Sequence, residues 1–169
     1  MRKRTTGFSL IEMLVAVVIL GVLSGIAVPS YRDYVRRSQV SEAAKNLRDM
    51  SVGILYELNV NGTPPAEIHG VPLAGGTGLS NTSDGPVEGY RFDGGGNQYW
   101  LVARISDDII TGTSSVFARE IHAGFTRTNE GEWVSFCGTW NVGWSIDPDY
   151  LPSGCNDENV QALLAAARS

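Results

Sequence analysis

Cysteine is scarce in this chain: two residues in 169, too few for a cysteine-rich scaffold or a four-cysteine zinc site. Charge is sparse as well, at 18 % against the usual quarter. No repeat period runs through the chain, which excludes collagen and coiled-coil arrays. Enzymatic signatures are missing too, with no phosphate loop, nucleophile elbow or Cys/His dyad. His69 and His122 stand in unlike contexts and read as surface or sheet residues. Asp107-Asp108 and the pair Asp147 and Asp149 lack EF-hand spacing, so calcium is a minority reading and no cofactor or metal is expected. A net charge of −5 disfavours nucleic acid as a general partner. Four Trp, six Tyr and five Phe can build a core, so disorder throughout is excluded. The length suits one compact domain with an extension.

The charges divide the chain. Arg2, Lys3 and Arg4 form a basic tip, and residues 29–61 are mixed, with a net of +1. Residues 62–169 hold five basic and thirteen acidic side chains, a net of −8. Between tip and mixed stem, residues 8–28 are apolar except for Glu12, and 21 such residues as a helix cross a bilayer. A cleaved secretory signal fits poorly, because the run is long and Ala27-Val28-Pro29 is a weak cleavage site. Glu12 is anomalous, since a carboxylate in hydrocarbon costs several kcal/mol unless paired. No Lys, Arg or His lies nearby in the helix. If the chain were cut after Gly7, the amine of Phe8 would be a cation, and a neighbouring chain shifted by one turn could place it beside Glu12.

The run Gly7-Phe8-Ser9-Leu10-Ile11-Glu12 behind a short basic leader resembles the processing motif of type IV prepilins and pseudopilins. Pro29, Tyr31 and Tyr34 also fall where type IV pilins commonly carry a proline and two tyrosines. The resemblance, close over residues 1–58, implies cleavage after Gly7 by a prepilin peptidase, N-methylation of Phe8, and assembly through Glu12. It also favours local unwinding and close helix packing at Gly21, Gly25 and Pro29 inside a filament. Such pilins commonly close a C-terminal loop with a disulfide, which type II pseudopilins commonly lack. Cys137 and Cys155 are the matching pair here, and an exported head favours their oxidation.

Helical spacing continues through Val40, Ala44, Leu47, Ser51, Ile54 and Leu58, and stops at Asn59-Val60-Asn61-Gly62. Residues 62–86 read as a surface loop with a short helix near Ala66, its hydroxyls Thr77, Ser80, Thr82 and Ser83 simply solvated. Asn81-Thr82-Ser83 matches a glycosylation sequon of high false-positive rate. Strand-like runs follow at 89–93, 98–106, 115–127 and 131–140, an antiparallel meander with one buried face. Phe117, Ile121 and Phe125 alternate onto one face, as do Tyr99, Leu101, Ala103 and Ile105. Trp140, Trp144 and Tyr150 read as core anchors. The tail from Asn156 reads as an amphipathic helix capped by Asn156 or Asp157, with Val160, Leu163, Leu164 and Ala167 on one face.

The expected fold is therefore α+β, a long N-terminal helix on a four-stranded antiparallel sheet, with a disulfide-bounded C-terminal loop. The expected organisation is a leader (1–7), a membrane and filament-core helix (8–29) and a head (30–169). The expected function is a structural subunit of a type IV pilus filament serving adhesion, twitching motility or DNA uptake. Its partners would be further copies, minor pilins, the prepilin peptidase and methyltransferase, and an inner-membrane assembly platform. A minor pilin, a type II secretion pseudopilin and a tip subunit for DNA uptake are the alternatives. The expected location is the bacterial inner membrane, then the extracellular pilus.

Overall fold

The computed structural model describes residues 7–73, 79, 83–110, 116–140, 146–155, 157 and 159–167. The basic leader tip, Thr77, Ser80, Asn81, Thr82, Ser115, Trp144, Asn156 and Ser169 lie outside the described residues. The chain divides into two compact units, Met1–Val35 and Arg36–Ser169.

Helix α1, Leu10–Asn61, contributes to both. From Leu10 to Val28 its large apolar side chains are all exposed, from Val15 at 48 % to Leu10 at 83 %. Pro29 lies inside the helix without ending it. Proline cannot donate to the carbonyl one turn back. Beside it the Ser30 hydroxyl donates to the Ile26 carbonyl at 3.2 Å, the back-bonding that serine adopts in helices.

In the second unit α1 buries Val40, Ala43, Ala44, Leu47, Met50, Ser51, Ile54 and Leu58. The expected stripe is present, widened by Ala43 and Met50. Gly62 adopts φ 73° and donates to Leu58 at 3.1 Å, the left-handed cap that ends a helix. Asn59 then ties α1 to the sheet: its Oδ1 accepts from Trp133 N and its Nδ2 donates to the Trp133 carbonyl.

Residues 66–73 correct the expected helix near Ala66. Strands β1 (Glu67–Ile68) and β2 (Val71–Pro72) pair antiparallel around His69-Gly70. Both turn residues have positive φ, 49° and 75°, the geometry of a tight primed turn. Ile68, Val71 and Leu73 pack on the core. Gly53 of α1 makes room, because a Cβ there would sit 2.5 Å from Ile68 Cδ1.

The main sheet is β3 (Val87–Gly95), β4 (Gln98–Ile105), β5 (Glu120–Arg127) and β6 (Trp133–Gly138), antiparallel and in chain order. Its third strand begins later than expected, since Val116–Arg119 form a 3₁₀ helix. Phe117 therefore lies outside the strand alternation. Tyr90, Phe92, Leu101, Ala103, Ile105, Ile121, Ala123 and Phe125 share one core with α1.

The sheet was expected to bury one face, yet seven of the eight residues of β5 are buried. The reverse face is covered by helix α2, Val160–Ala166. Gly124 admits it: a Cβ there would lie 2.6 Å from Leu164 Cδ1 and 2.7 Å from Val160 Cγ1. The cap of α2 is Asn159, whose Oδ1 accepts from Ala162 N at 2.9 Å, rather than Asn156 or Asp157. Val160 and Leu164 are buried, while Leu163 and Ala167 are only half-buried. Asp157 instead bridges Gly138.

Candidate assembly surfaces

Three residues open the N-terminal segment. Gly7 and Phe8 precede the helix in exposed, irregular backbone, with Phe8 70 % exposed. Ser9 is the cap, its carbonyl accepting from the N–H groups of Glu12 and Met13. Glu12 reaches back so that its Oε2 accepts from Ser9 N at 3.4 Å. Serine followed three residues later by glutamate is half of a capping box, a signal present in Ser9 and Glu12 that the sequence analysis passed over. A carboxylate in the first turn also suits the positive end of the helix dipole. Ser9 thus gives Glu12 a weak internal partner, and among the described residues no cation pairs with it. At Gly21 and Gly25 nothing among the described residues lies within 4 Å of a would-be Cβ, so the backbone there is open.

In the head, Cys137 and Cys155 form a disulfide, with Cα atoms 4.4 Å apart. The loop it bounds is held to α1 by two arginines. Arg37 donates to the Asp149 carbonyl at 2.8 Å and lies over the Tyr150 ring at 5.3 Å. Arg48 donates to the Gly154 carbonyl at 3.3 Å. Tyr150 packs against the core as expected. Trp140 is half-buried on the reverse face, its ring 5.7 Å from Trp100 and 5.5 Å from His122.

The same face holds an ionic cluster that sequence reasoning missed. Glu120 is fully buried, paired with Arg104 at 2.7 Å and with Arg91 at 3.7 Å. Strand register creates it, because Arg104 stands opposite Glu120 and Val102 opposite His122. The charges lie far apart in sequence, so no local pattern announces them. Removing one partner of such a buried pair commonly costs about 3–5 kcal/mol.

His122 sits beside this cluster, 3.7 Å from Glu120, and neither ring nitrogen is hydrogen-bonded among the described residues. Burial, then the Arg91 charge, pushes its pKa down to about 3. The folded pKa is below the unfolded value near 6.5, so protons favour the unfolded chain. The stabilisation is present above pH 6.5 and fades as pH falls toward 3. Between pH 7 and 5 the head should lose about 2 kcal/mol through this one group. Urea unfolding at both pH values checks this: His122→Leu should flatten the difference, and an unchanged difference would refute it.

Asp107 pairs with Arg119 at 2.8 Å, and Asp147 accepts from the Asp149 N–H. Among the described residues no cluster of three metal-ligating side chains occurs. His69 is exposed in its turn, and His122 is a buried sheet residue.

Residues 2–28 match the signature described as the prokaryotic N-terminal methylation motif. Fimbrial protein EcpC of Eikenella corrodens is 30 % identical over 159 residues, covering 89 % of this chain and 90 % of that protein. The type IV major pilin protein PilE of Neisseria gonorrhoeae is 28 % identical, covering 89 % of this chain and 93 % of its own. A type IV major fimbrial protein FimA of Dichelobacter nodosus is 28 % identical, covering 94 % and 100 %. Long apolar-tipped helix, four-stranded sheet and C-terminal disulfide fit the type IV pilin fold, and with the methylation motif and these relatives the chain belongs to the type IV pilins.

Proposed function

We propose that this chain is the repeating, non-enzymatic subunit of a surface pilus, a major rather than a minor pilin. The observation that carries this is the N-terminal helix. From Leu10 to Val28 its large apolar residues are exposed on every side, and that stretch holds one carboxylate, Glu12. Such a surface is stable only in lipid or among copies of itself. Major pilins among the relatives support the repeating role, and the Cys137–Cys155 loop favours a pilin over a secretion pseudopilin.

In this reading the leader 1–7 is removed after Gly7 and Phe8 is N-methylated. The segment 8–29 waits in the inner membrane, and the head, 30–169, lies outside it. On assembly Glu12 exchanges its weak bond to Ser9 for the amine of a neighbouring Phe8. That pairing fixes the axial register, because a buried charge tolerates few alternatives. Gly21, Gly25 and Pro29 then allow close packing and local unwinding in the filament core. Partners are further copies, minor pilins, the prepilin peptidase and the assembly platform. Adhesion and twitching motility are the activities such a filament serves. DNA uptake by the head is disfavoured by the net charge of −8 on residues 62–169.

Intact-mass and N-terminal analysis of purified filaments tests both parts. The mature chain should begin at methylated Phe8, and Glu12→Ala should leave processed protein in the membrane with filaments reduced at least about tenfold. Filaments at normal number from Glu12→Ala, or a different N-terminus, would overturn the reading.

A further inference from the structure

The head's segment of α1 carries opposite charges on two flanks of its exposed side. One flank meets the C-terminal loop in a cleft of about 260 Å³ lined by Ser41, Lys45, Arg48, Ser153 and Gly154. Lys45 and Arg48 make this cleft basic. The other flank meets the segment before β3, where Asp49, Asp84, Asn46 and His69 line a hollow of about 330 Å³. Glu42 stands at its margin, its Oε1 3.3 Å from the position a Gly85 Cβ would take. Asp84 accepts from Asn46 Nδ2 at 3.1 Å, which orients its carboxylate.

Two of these groups hold internal hydrogen bonds, Arg48 to Gly154 and Asp84 to Asn46, but opposite charges do not meet. Among the described residues, Glu42, Lys45, Asp49 and Asp84 enter no ion pair, although Arg119, Arg104 and Arg91 all do. Arg48 contacts a carbonyl, and no carboxylate among the described residues. Glu42, Lys45, Arg48 and Asp49 are exposed. The cleft therefore offers two cations to an acidic group, and the hollow offers carboxylates to a basic group. A single surface carrying both complements is suited to a head-to-tail contact between identical chains. Repeated by rotation and rise, a contact of this kind stays open and builds a filament.

We propose that the Lys45–Arg48 cleft of one copy receives the Glu42–Asp49–Asp84 rim of the next. This rests on the subunit reading above and adds a contact between heads to the one made by the apolar segment. Charge complementarity of this sort chooses the partner and its register more than it supplies affinity.

Charge exchange in the full chain provides the test. Ser41→Glu with Lys45→Glu makes both edges acidic while keeping the Arg48 bond to the loop, and Glu42→Lys with Asp49→Lys makes both edges basic. Each pair should cut filament mass per cell about tenfold, since like charges brought together are repelled. All four changes together restore opposite edges, and filament mass should return to within about twofold of the unaltered chain. Thermal unfolding of each variant in detergent should match the unaltered chain, which separates assembly from folding. Normal filaments from either pair would overturn the contact while leaving the subunit reading intact. So would a fourfold variant as defective as the pairs. Absence of filaments from the unaltered chain would overturn both.

Discussion

A chain shortened to begin near Tyr34 will be soluble, folded and monomeric at ordinary concentrations, and will form no filaments. The core explains the first half of this expectation. Every buried side chain of α1 lies at or after Val40, and none of the core residues precedes it. The second compact unit begins at Arg36, so a cut near Tyr34 leaves that unit whole. Area explains the second half. Fourteen large apolar side chains between Phe8 and Val28 are about half or more exposed. At about 1.5–3 kcal/mol each when buried, they supply roughly 20 kcal/mol or more toward membrane insertion or assembly. Surface charge pairs contribute far less. Circular dichroism and sedimentation of the shortened chain check the claim. An unfolded product, or native-like filaments built from it, would refute it.

Replacing Cys137 and Cys155 together by serine should cost about 3 kcal/mol, the chain-entropy value for closing a loop of this size. For a head of this length the melting temperature should fall by roughly 10 °C. The loss should centre on the C-terminal third. Cys155 fastens the loop that Arg37 and Arg48 hold against α1, and Cys137 lies beside the Gly138–Asp157 bridge. Scanning calorimetry of the oxidised head against the double variant measures the difference. Equal melting temperatures would show that the loop is held by its hydrogen bonds alone.

Which features the sequence reveals follows from how local their causes are. The α1 stripe is legible because Val40, Ala44, Leu47, Ile54 and Leu58 repeat at helical spacing, and its end because Gly62 follows directly. The N-terminal surface is legible because leader, Gly7, Phe8 and Glu12 lie within a dozen residues. The half capping box of Ser9 and Glu12 is equally local. The His69-Gly70 turn was harder to see, since histidine seldom adopts positive φ and two-residue strands leave almost no periodicity. The reverse face of the sheet was out of reach. Gly124 reads as a weak point in a strand until Leu164, forty residues later, occupies the space it leaves. Glu120, Arg104 and Arg91 meet only through strand register. The opposed flanks of α1 need the neighbouring loops in place before a cleft and a hollow exist.

The bridge between Gly138 and Asp157 has a consequence for what this chain avoids. A sheet in chain order leaves two rims, β3 and β6, and an open rim invites strand-to-strand polymerisation with any like chain. Along β6 that invitation is withdrawn by the chain itself. Asp157 N donates to the Cys137 carbonyl, Thr139 N donates to the Asp157 carbonyl, and Val160 N donates to the Thr139 carbonyl. The Asp157 carboxylate takes the Cys137 N–H as well. At the other rim, β3 breaks register between Val87 and Gly89 and carries Glu88 and Asp93. Heads crowded along a filament, or waiting at a membrane, are thus blocked on β6 and discouraged on β3 from joining sheet to sheet. A protein whose purpose is to polymerise thereby suppresses the amyloid-like route and leaves growth to its helix and loops.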